Sequence, residues 1–86
     1  MRSSTTKSFR AGYARLPRGV RNLARKNYRL WLRSPRHPSL HFKPIGDYWS
    51  VRIGLSYRAL GRVKDGTLYW FWIGHHKEYD RLISQL

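Results

Sequence analysis

The sequence has no cysteine, only four acidic residues and no long apolar run. Without thiols, neither a disulfide framework nor a thiolate metal site can form. No segment approaches the ~20 apolar residues that a membrane-spanning helix needs, and residues 1–10 lack the apolar stretch of a secretory signal. We therefore expect a soluble protein of the cytoplasm that does not associate with a membrane.

Acidic residues are excluded from the first half of the chain. Eighteen Lys and Arg outnumber four Asp and Glu, which gives a net charge of +14, and residues 1–46 contain no acid at all. Such an imbalance favours a polyanion or an acidic protein as the partner. A basic surface that only aids solubility is the alternative, but solubility does not require the exclusion of acids from half of a protein.

The length of 86 residues predicts one domain, residues 1–86, and 41% hydrophobic with 15% aromatic residues is enough for a core. Residues 1–7 are polar, so we expect them to be frayed or to form a short edge strand. A helix is predicted to begin at Ser8, which is suited to be its N-cap, and to end near Pro17.

A second helix is predicted from Arg18 to Arg33, because apolar residues recur on one side at helical spacing. Five arginines follow the other side: Arg18, Arg21, Arg25, Arg29 and Arg33. Like charges at this spacing weaken an isolated helix. The arginines therefore indicate a binding surface, unless the apolar side alone outweighs their repulsion.

After Pro38 the apolar pattern changes to a period of two, which predicts strands. Pro44 is typical of an edge strand, and Asp65-Gly66 of a tight hairpin turn. The predicted elements are strands over 41–45, 48–53, 57–63 and 68–73 and a closing helix over 76–85. The chain is thus predicted to be α+β, with a helical hairpin packed on a small antiparallel sheet and a short C-terminal helix.

Two arginines are predicted to face each other across this sheet. If residues 54–56 form a three-residue loop, Arg52 lies directly opposite Arg58, where like charges repel. An anion between them would remove the repulsion. The same face carries aromatic residues at Tyr48, Tyr69 and Phe71, and guanidinium groups mixed with rings suit RNA. Two arginines that merely extend into water are the alternative interpretation.

Histidines supply the candidate proton carriers. His75 and His76 follow the last strand directly, and Tyr79 lies one helical turn further on. His37 lies in a proline-bounded loop and is predicted to be structural, whereas His41 is a weak candidate for RNA contact. With so few carboxylates and no zinc-like spacing, we expect neither a metal nor a cofactor.

Two long runs resemble the RelE/ParE toxin superfamily. They are FRAGYARLPRGVRNLARKNYRLWLRSPRHPSLHFKPI and YWSVRIGLSYRALGRV, the latter followed by a DG turn and LYWFWIGHHKEYDRLI, and together they span about Ser8 to Ile83. The resemblance implies a compact α+β toxin that is neutralised by an acidic cognate antitoxin. RelE-like members cut mRNA on the ribosome without a metal, and ParE-like members inhibit DNA gyrase.

The resemblance also implies roles for individual residues. Arg52 and Arg58 match the arginines that hold the scissile phosphate. Lys43 matches a strand lysine that helps to activate the reacting group or to neutralise its charge. His76 and Tyr79 fall near the positions that supply a proton donor or stack on a base. The remaining candidates for RNA binding are Arg21, Arg25, Arg29, Tyr48, His41 and His75, of which His75 is also an alternative to His76.

Three functions remain open from the sequence. A ribosome-dependent mRNA endoribonuclease is the leading hypothesis, because cations, histidine and tyrosine are predicted to lie together. A non-enzymatic inhibitor of DNA gyrase is the second. A protein that has lost toxicity and only binds RNA or protein is the third.

Overall fold

The computed structural model describes residues 2–86; Met1, which the predicted domain and its first segment include, lies outside the described residues. The elements in chain order are β1 (Arg2–Thr5), α1 (Lys7–Ala14), α2 (Arg18–Arg33), a 3₁₀ turn (Pro38–Leu40), β2 (Lys43–Ile45), β3 (Tyr48–Ile53), β4 (Tyr57–Lys64), β5 (Thr67–His75) and α3 (His76–Ile83). No helix within residues 2–86 has the length and apolar character needed to cross a membrane.

The five strands form one sheet in the order β1-β5-β4-β3-β2. The predicted fold class is confirmed, with α1 and α2 as the helical hairpin and α3 as the closing helix. One detail differs: β1 pairs in parallel with β5, so the sheet is mixed, while its other pairs are antiparallel. The first residues were expected to be frayed or to form a short edge strand, and they form the edge strand β1. At the other edge lies β2, which contains Pro44, as predicted.

The start of α1 corrects the sequence prediction. Thr6, and not Ser8, is the N-cap, since its side chain accepts a hydrogen bond of 3.2 Å from the Phe9 backbone N–H. The Ser8 hydroxyl instead donates to the carbonyl of Phe71 at 2.9 Å. Both residues can cap a helix, and the contact with β5 decides between them. The predicted bounds of α2 are confirmed.

Several other element ends also differ from prediction. The strand predicted over 41–45 begins only at Lys43, because His41 has a left-handed φ of 44° and ends the 3₁₀ turn. His37 caps that turn, which confirms its structural role. The strand predicted over 68–73 extends to His75, which pairs with Tyr57. The last helix ends at Ile83, two residues early.

The helical hairpin packs on one face of the sheet, here called the hairpin face. Its centre is an aromatic cluster in which the Trp31 ring meets Trp70 edge-on at 5.5 Å and Phe42 at 5.6 Å. Leu40 and Leu68 are completely buried beside it. Burial of such large side chains is the main stabilising contribution in a domain of this size, and it leaves the opposite face free for other contacts.

The opposite face carries α3 and is here called the α3 face. Tyr79 is the buried residue of α3, and its hydroxyl lies 2.8 Å from the Ser50 hydroxyl on β3. The Trp72 ring lies beside Tyr79, with centroids 6.4 Å apart. This buried hydrogen bond fixes α3 to the sheet, because a hydroxyl that loses its partner in the interior is costly.

We expect Tyr79→Phe to lower the free energy of unfolding by about 1–3 kcal/mol, because it leaves the buried Ser50 hydroxyl without its partner. Urea unfolding followed by circular dichroism measures the change. The double variant Tyr79→Phe/Ser50→Ala is the control, and it should be less destabilised than the sum of its single changes. Strict additivity would show that the two hydroxyls do not interact.

Candidate functional site

The predicted arginine pair is present. β3 and β4 are joined through residues 54–56, where Gly54 has a φ of 63°, and Arg52 pairs directly with Arg58. Gly54 permits the tight loop because glycine adopts positive φ without a side-chain clash. Both arginines lie on the α3 face, since Arg52 is two residues from Ser50 on the same strand. We call Arg52 and Arg58 the arginine pair.

Arg52 carries a charge that no described residue neutralises. Its guanidinium forms no ion pair or hydrogen bond within residues 2–86, and its Nε is buried without a partner. Only its backbone carbonyl is engaged, by the Asn27 side-chain amide at 3.3 Å. Because no described group neutralises the guanidinium charge, the side chain is suited to an external anion.

Arg58 is held by its own loop. Its Nη1 donates to the carbonyls of Tyr57 at 2.7 Å and Leu55 at 3.2 Å. Partial burial, followed by the charge of Arg52, lowers the pKa of Arg58 below its ordinary value, against smaller opposing effects of Tyr79 and Asp80. The charge of Arg52 thus adds to the effect of burial on Arg58, and a phosphate between the two guanidinium groups would offset their repulsion.

The first turn of α3 borders the arginine pair. The backbone N–H of His76 donates to the carbonyl of Ser56 at 2.7 Å, which fixes the start of α3 to the β3–β4 loop. The His76 Nδ1 lies 3.6 Å from the Asp80 carboxylate, and Asp80 is one of the charges that act on Arg58. An imidazole and a carboxylate therefore lie near the paired cations.

His75 and His76 have different surroundings. The Nδ1 of His75 accepts the Lys77 backbone N–H at 3.2 Å, so His75 caps α3. Its ring packs edge-on against Tyr57 at 5.4 Å. The His76 side chain is 39% exposed and hydrogen-bonds to no residue in 2–86. This geometry favours His76 as the proton carrier, and the role itself stays a prediction.

Lys43 and Tyr79 complete the predicted catalytic set. Lys43 pairs with Ser50, so it lies on the α3 face next to the arginine pair, and it is exposed. Tyr79 is only 6% exposed. A ring buried in this way cannot stack on a base without a rearrangement of α3. The structure therefore fits a positioning role for Tyr79 through Ser50 better than the predicted direct role.

The predicted arginines of α2 are not brought to the arginine pair, because α2 lies on the hairpin face. Arg21 donates to the carbonyl of Leu16 at 2.6 Å, and Arg25 to the Tyr13 hydroxyl at 2.9 Å, so both hold the hairpin together. Arg29 is exposed.

The other two predicted RNA contacts lie on different parts of the sheet. His41 is exposed at the end of the 3₁₀ turn, and no described contact joins it to the arginine pair. Tyr48 lies on the α3 face, with its ring centroid 5.3 Å from that of Phe71.

A groove on the hairpin face was missed by the sequence. It has a volume of about 770 Å³ between α1, α2 and the sheet, and its rim carries Arg10, Arg25 and Arg29. Trp31 and Trp70 line it, and their buried indole N–H groups have no partner within residues 2–86. Residue spacing can show which side of each helix turns inward, but the gap between hairpin and sheet depends on tertiary packing.

Within residues 2–86, no three His, Asp or Glu side chains come together in a way that could hold a metal ion. The candidate groups for chemistry are therefore two guanidinium groups, one ammonium, an imidazole and a carboxylate. Such groups can bind a phosphate, stabilise extra negative charge on it and move a proton.

Comparison with known proteins shows which solved structures share this fold. No protein-family model and no curated protein sequence matches the chain. A chain of the RelB–RelE antitoxin–toxin complex from Methanococcus jannaschii has a TM-score of 0.70 at 22% identity, covering 90% of this chain and 95% of that one. The YoeB/ParE toxin from Agrobacterium tumefaciens has a TM-score of 0.68 at 22% identity, covering 88% and 99%.

The isolated RelE toxin of E. coli is similar as well, with a TM-score of 0.63 at 17% identity, and 98% of this chain and 96% of that chain are covered. The chain therefore has the α+β fold of the RelE and ParE toxins. The resemblance inferred from the sequence is confirmed at the level of the fold, over nearly the whole length of these structures.

We expect inorganic phosphate to raise the melting temperature of the protein, because an anion that binds only the folded state stabilises it. Arg52→Gln should abolish most of this gain while leaving the melting temperature without phosphate unchanged or higher, since it removes the repulsion with Arg58. Differential scanning fluorimetry over a series of phosphate concentrations measures the melting temperature without phosphate and its increase with phosphate. Arg36→Gln, an equal charge change at an exposed loop residue, is the control, and an equal loss there would contradict a specific site.

Proposed function

We propose that this protein is the toxin of a toxin–antitoxin pair and a metal-independent, ribosome-associated mRNA endoribonuclease of the cytoplasm that arrests translation. The observation that carries the proposal is the arginine pair, which forms no ion pair with a carboxylate within residues 2–86 and lies near His76 and Asp80. The fold shared with toxins named RelE and YoeB/ParE supports the toxin class.

The proposed reaction uses the RNA's own 2′-hydroxyl. Its oxygen attacks the adjacent phosphorus, the bond from phosphorus to the 5′-oxygen breaks, and the products are a 2′,3′-cyclic phosphate and a 5′-hydroxyl. Negative charge grows on the phosphoryl oxygens during this step, where Arg52 and Arg58 would stabilise it, with Lys43 nearby. A base removes the 2′-proton, and protonated His76 would deliver a proton to the leaving 5′-oxygen.

We expect brief expression of the protein to produce new 5′ ends in mRNA, detectable by primer extension. Arg58→Ala and His76→Gln should each reduce cleavage by about 100-fold or more, because loss of one group that stabilises the transition state has that effect in other enzymes. Arg36→Gln is the control and should cleave like the wild type. Intact transcripts in growth-arrested cells would contradict the proposal.

Inhibition of DNA gyrase is the second candidate, favoured by the likeness to a structure that is named both YoeB and ParE. Purified gyrase, assayed for supercoiling with and without the protein, separates the two functions. Inhibition that survives both Arg58→Ala and His76→Gln would assign the toxicity to gyrase. A folded protein that neither cleaves mRNA nor inhibits gyrase would be a binding protein only.

The partner that we propose is an acidic antitoxin, bound in part by the groove on the hairpin face. An amphipathic segment would place apolar side chains in the groove that Trp31 and Trp70 line. Its acidic side chains would meet Arg10, Arg25 and Arg29 at the rim. The net charge of +14 favours such a partner over a neutral one.

We expect Arg29→Glu to weaken binding of the proposed acidic antitoxin by at least about tenfold, because a rim charge is reversed. Affinity measured at low and high salt should show a smaller difference from wild type at high salt. Arg36→Glu is the matched control, since Arg36 is also exposed but does not line the groove. Equal effects of the two changes would argue against the groove.

A further inference from the structure

A second cavity, of about 460 Å³, lies on the α3 face, near the end of β3 opposite the arginine pair. Three aromatic residues and two cations are among the seven that line it, and none of the seven is acidic: Thr6, Tyr48, Arg62, Val63, Lys64, Tyr69 and Phe71. The closest acids in sequence, Asp47 and Asp65, belong to the adjacent turns. The proposed cleavage chemistry does not use this surface.

The rings come together through the strand register. Arg62 pairs with Tyr69 across β4 and β5. One residue further on, Gly61 pairs with Trp70 and Leu60 with Trp72, so Phe71 is an extra residue in β5. This bulge turns Phe71 towards Tyr48, with ring centroids 5.3 Å apart and planes at 58°. We call Tyr48, Tyr69 and Phe71, with Arg62, the aromatic platform.

The aromatic platform and the arginine pair share one face. Tyr48 and Arg52 are four residues apart on β3, hence about 13 Å along the strand. Midway lies Ser50, which Tyr79 covers, and beside it on β2 is the exposed Lys43. A flexible polyanion held at the arginine pair would therefore meet Lys43 before it reaches the aromatic platform.

We propose that the aromatic platform is a base-binding subsite for single-stranded RNA, which stacks a base a few nucleotides away from the linkage held by the arginine pair. The inference rests on the proposed function, because it takes RNA as the substrate. Rings with an adjacent guanidinium stack on any base, so the subsite contributes affinity and direction rather than sequence preference. Exposed Tyr69 and half-buried Tyr48 line the cavity and would stack on the base, and Arg62 and Lys64 in the same lining would meet the backbone charge.

The test uses 2′-O-methyl RNA, which lacks the attacking hydroxyl, as dinucleotides and as hexanucleotides extended towards either end. NMR titration of the whole protein gives its affinity for the dinucleotides and for the hexanucleotides. Tyr48→Ala and Tyr69→Ala should weaken hexanucleotide binding about five- to a hundredfold, the range found for stacked bases, and leave dinucleotide binding unchanged. Tyr48→Phe should keep the hexanucleotide affinity, because the ring remains.

Tyr28→Ala is the matched control, since Tyr28 and Tyr69 are both 38% exposed but Tyr28 lies on the hairpin face. A selective loss for hexanucleotides supports the subsite even if mRNA cleavage is absent, which separates this inference from the proposed reaction. Wild-type hexanucleotide affinity in Tyr48→Ala and Tyr69→Ala would overturn it. Weaker binding of the acidic partner by Tyr69→Ala, with RNA binding unchanged, would overturn it too, because the surface would then be a protein contact.

Discussion

The pairing of β3 with β4 is the constraint on which the rest of the site depends. A three-residue loop and strict strand alternation place Arg52 opposite Arg58, and the same register turns Val51, Ile53 and Ala59 into the core. A slip of one residue would turn the shifted strand over, and its arginine would face the core. Burial of the apolar side chains therefore fixes where the charges lie, and core packing holds two like charges opposite each other although they repel.

The two faces of the sheet have different chemistry. The α3 face combines cations, a histidine and aromatic rings, which suits a polyanion with bases. The hairpin face has an apolar groove with a basic rim, which suits an amphipathic acidic protein segment. Both fit the charge of the chain. In the proposed toxin, substrate and antitoxin would thus meet surfaces that are separated by the sheet itself.

Local signals predicted several features correctly. α2 begins and ends where Pro17 and Ser34-Pro35 require, and Asp65-Gly66 forms the turn between β4 and β5 with both φ angles positive. The errors occurred where two local solutions were nearly equal. Either Thr6 or Ser8 can cap α1. The Ser8 hydroxyl donates to the carbonyl of Phe71, so Thr6 is the cap.

The sequence alone determined the charge, the order of the elements and the arginine pair, because periodicity, turn residues and loop length act over a few neighbouring positions. Tertiary structure decided what each candidate side chain can reach. It buried Tyr79 against Ser50, made His75 a helix cap, placed the partly exposed His76 beside Asp80, and opened the groove beside Trp31. These outcomes depend on residues far apart in the chain, and on how closely whole elements pack, which no local pattern records.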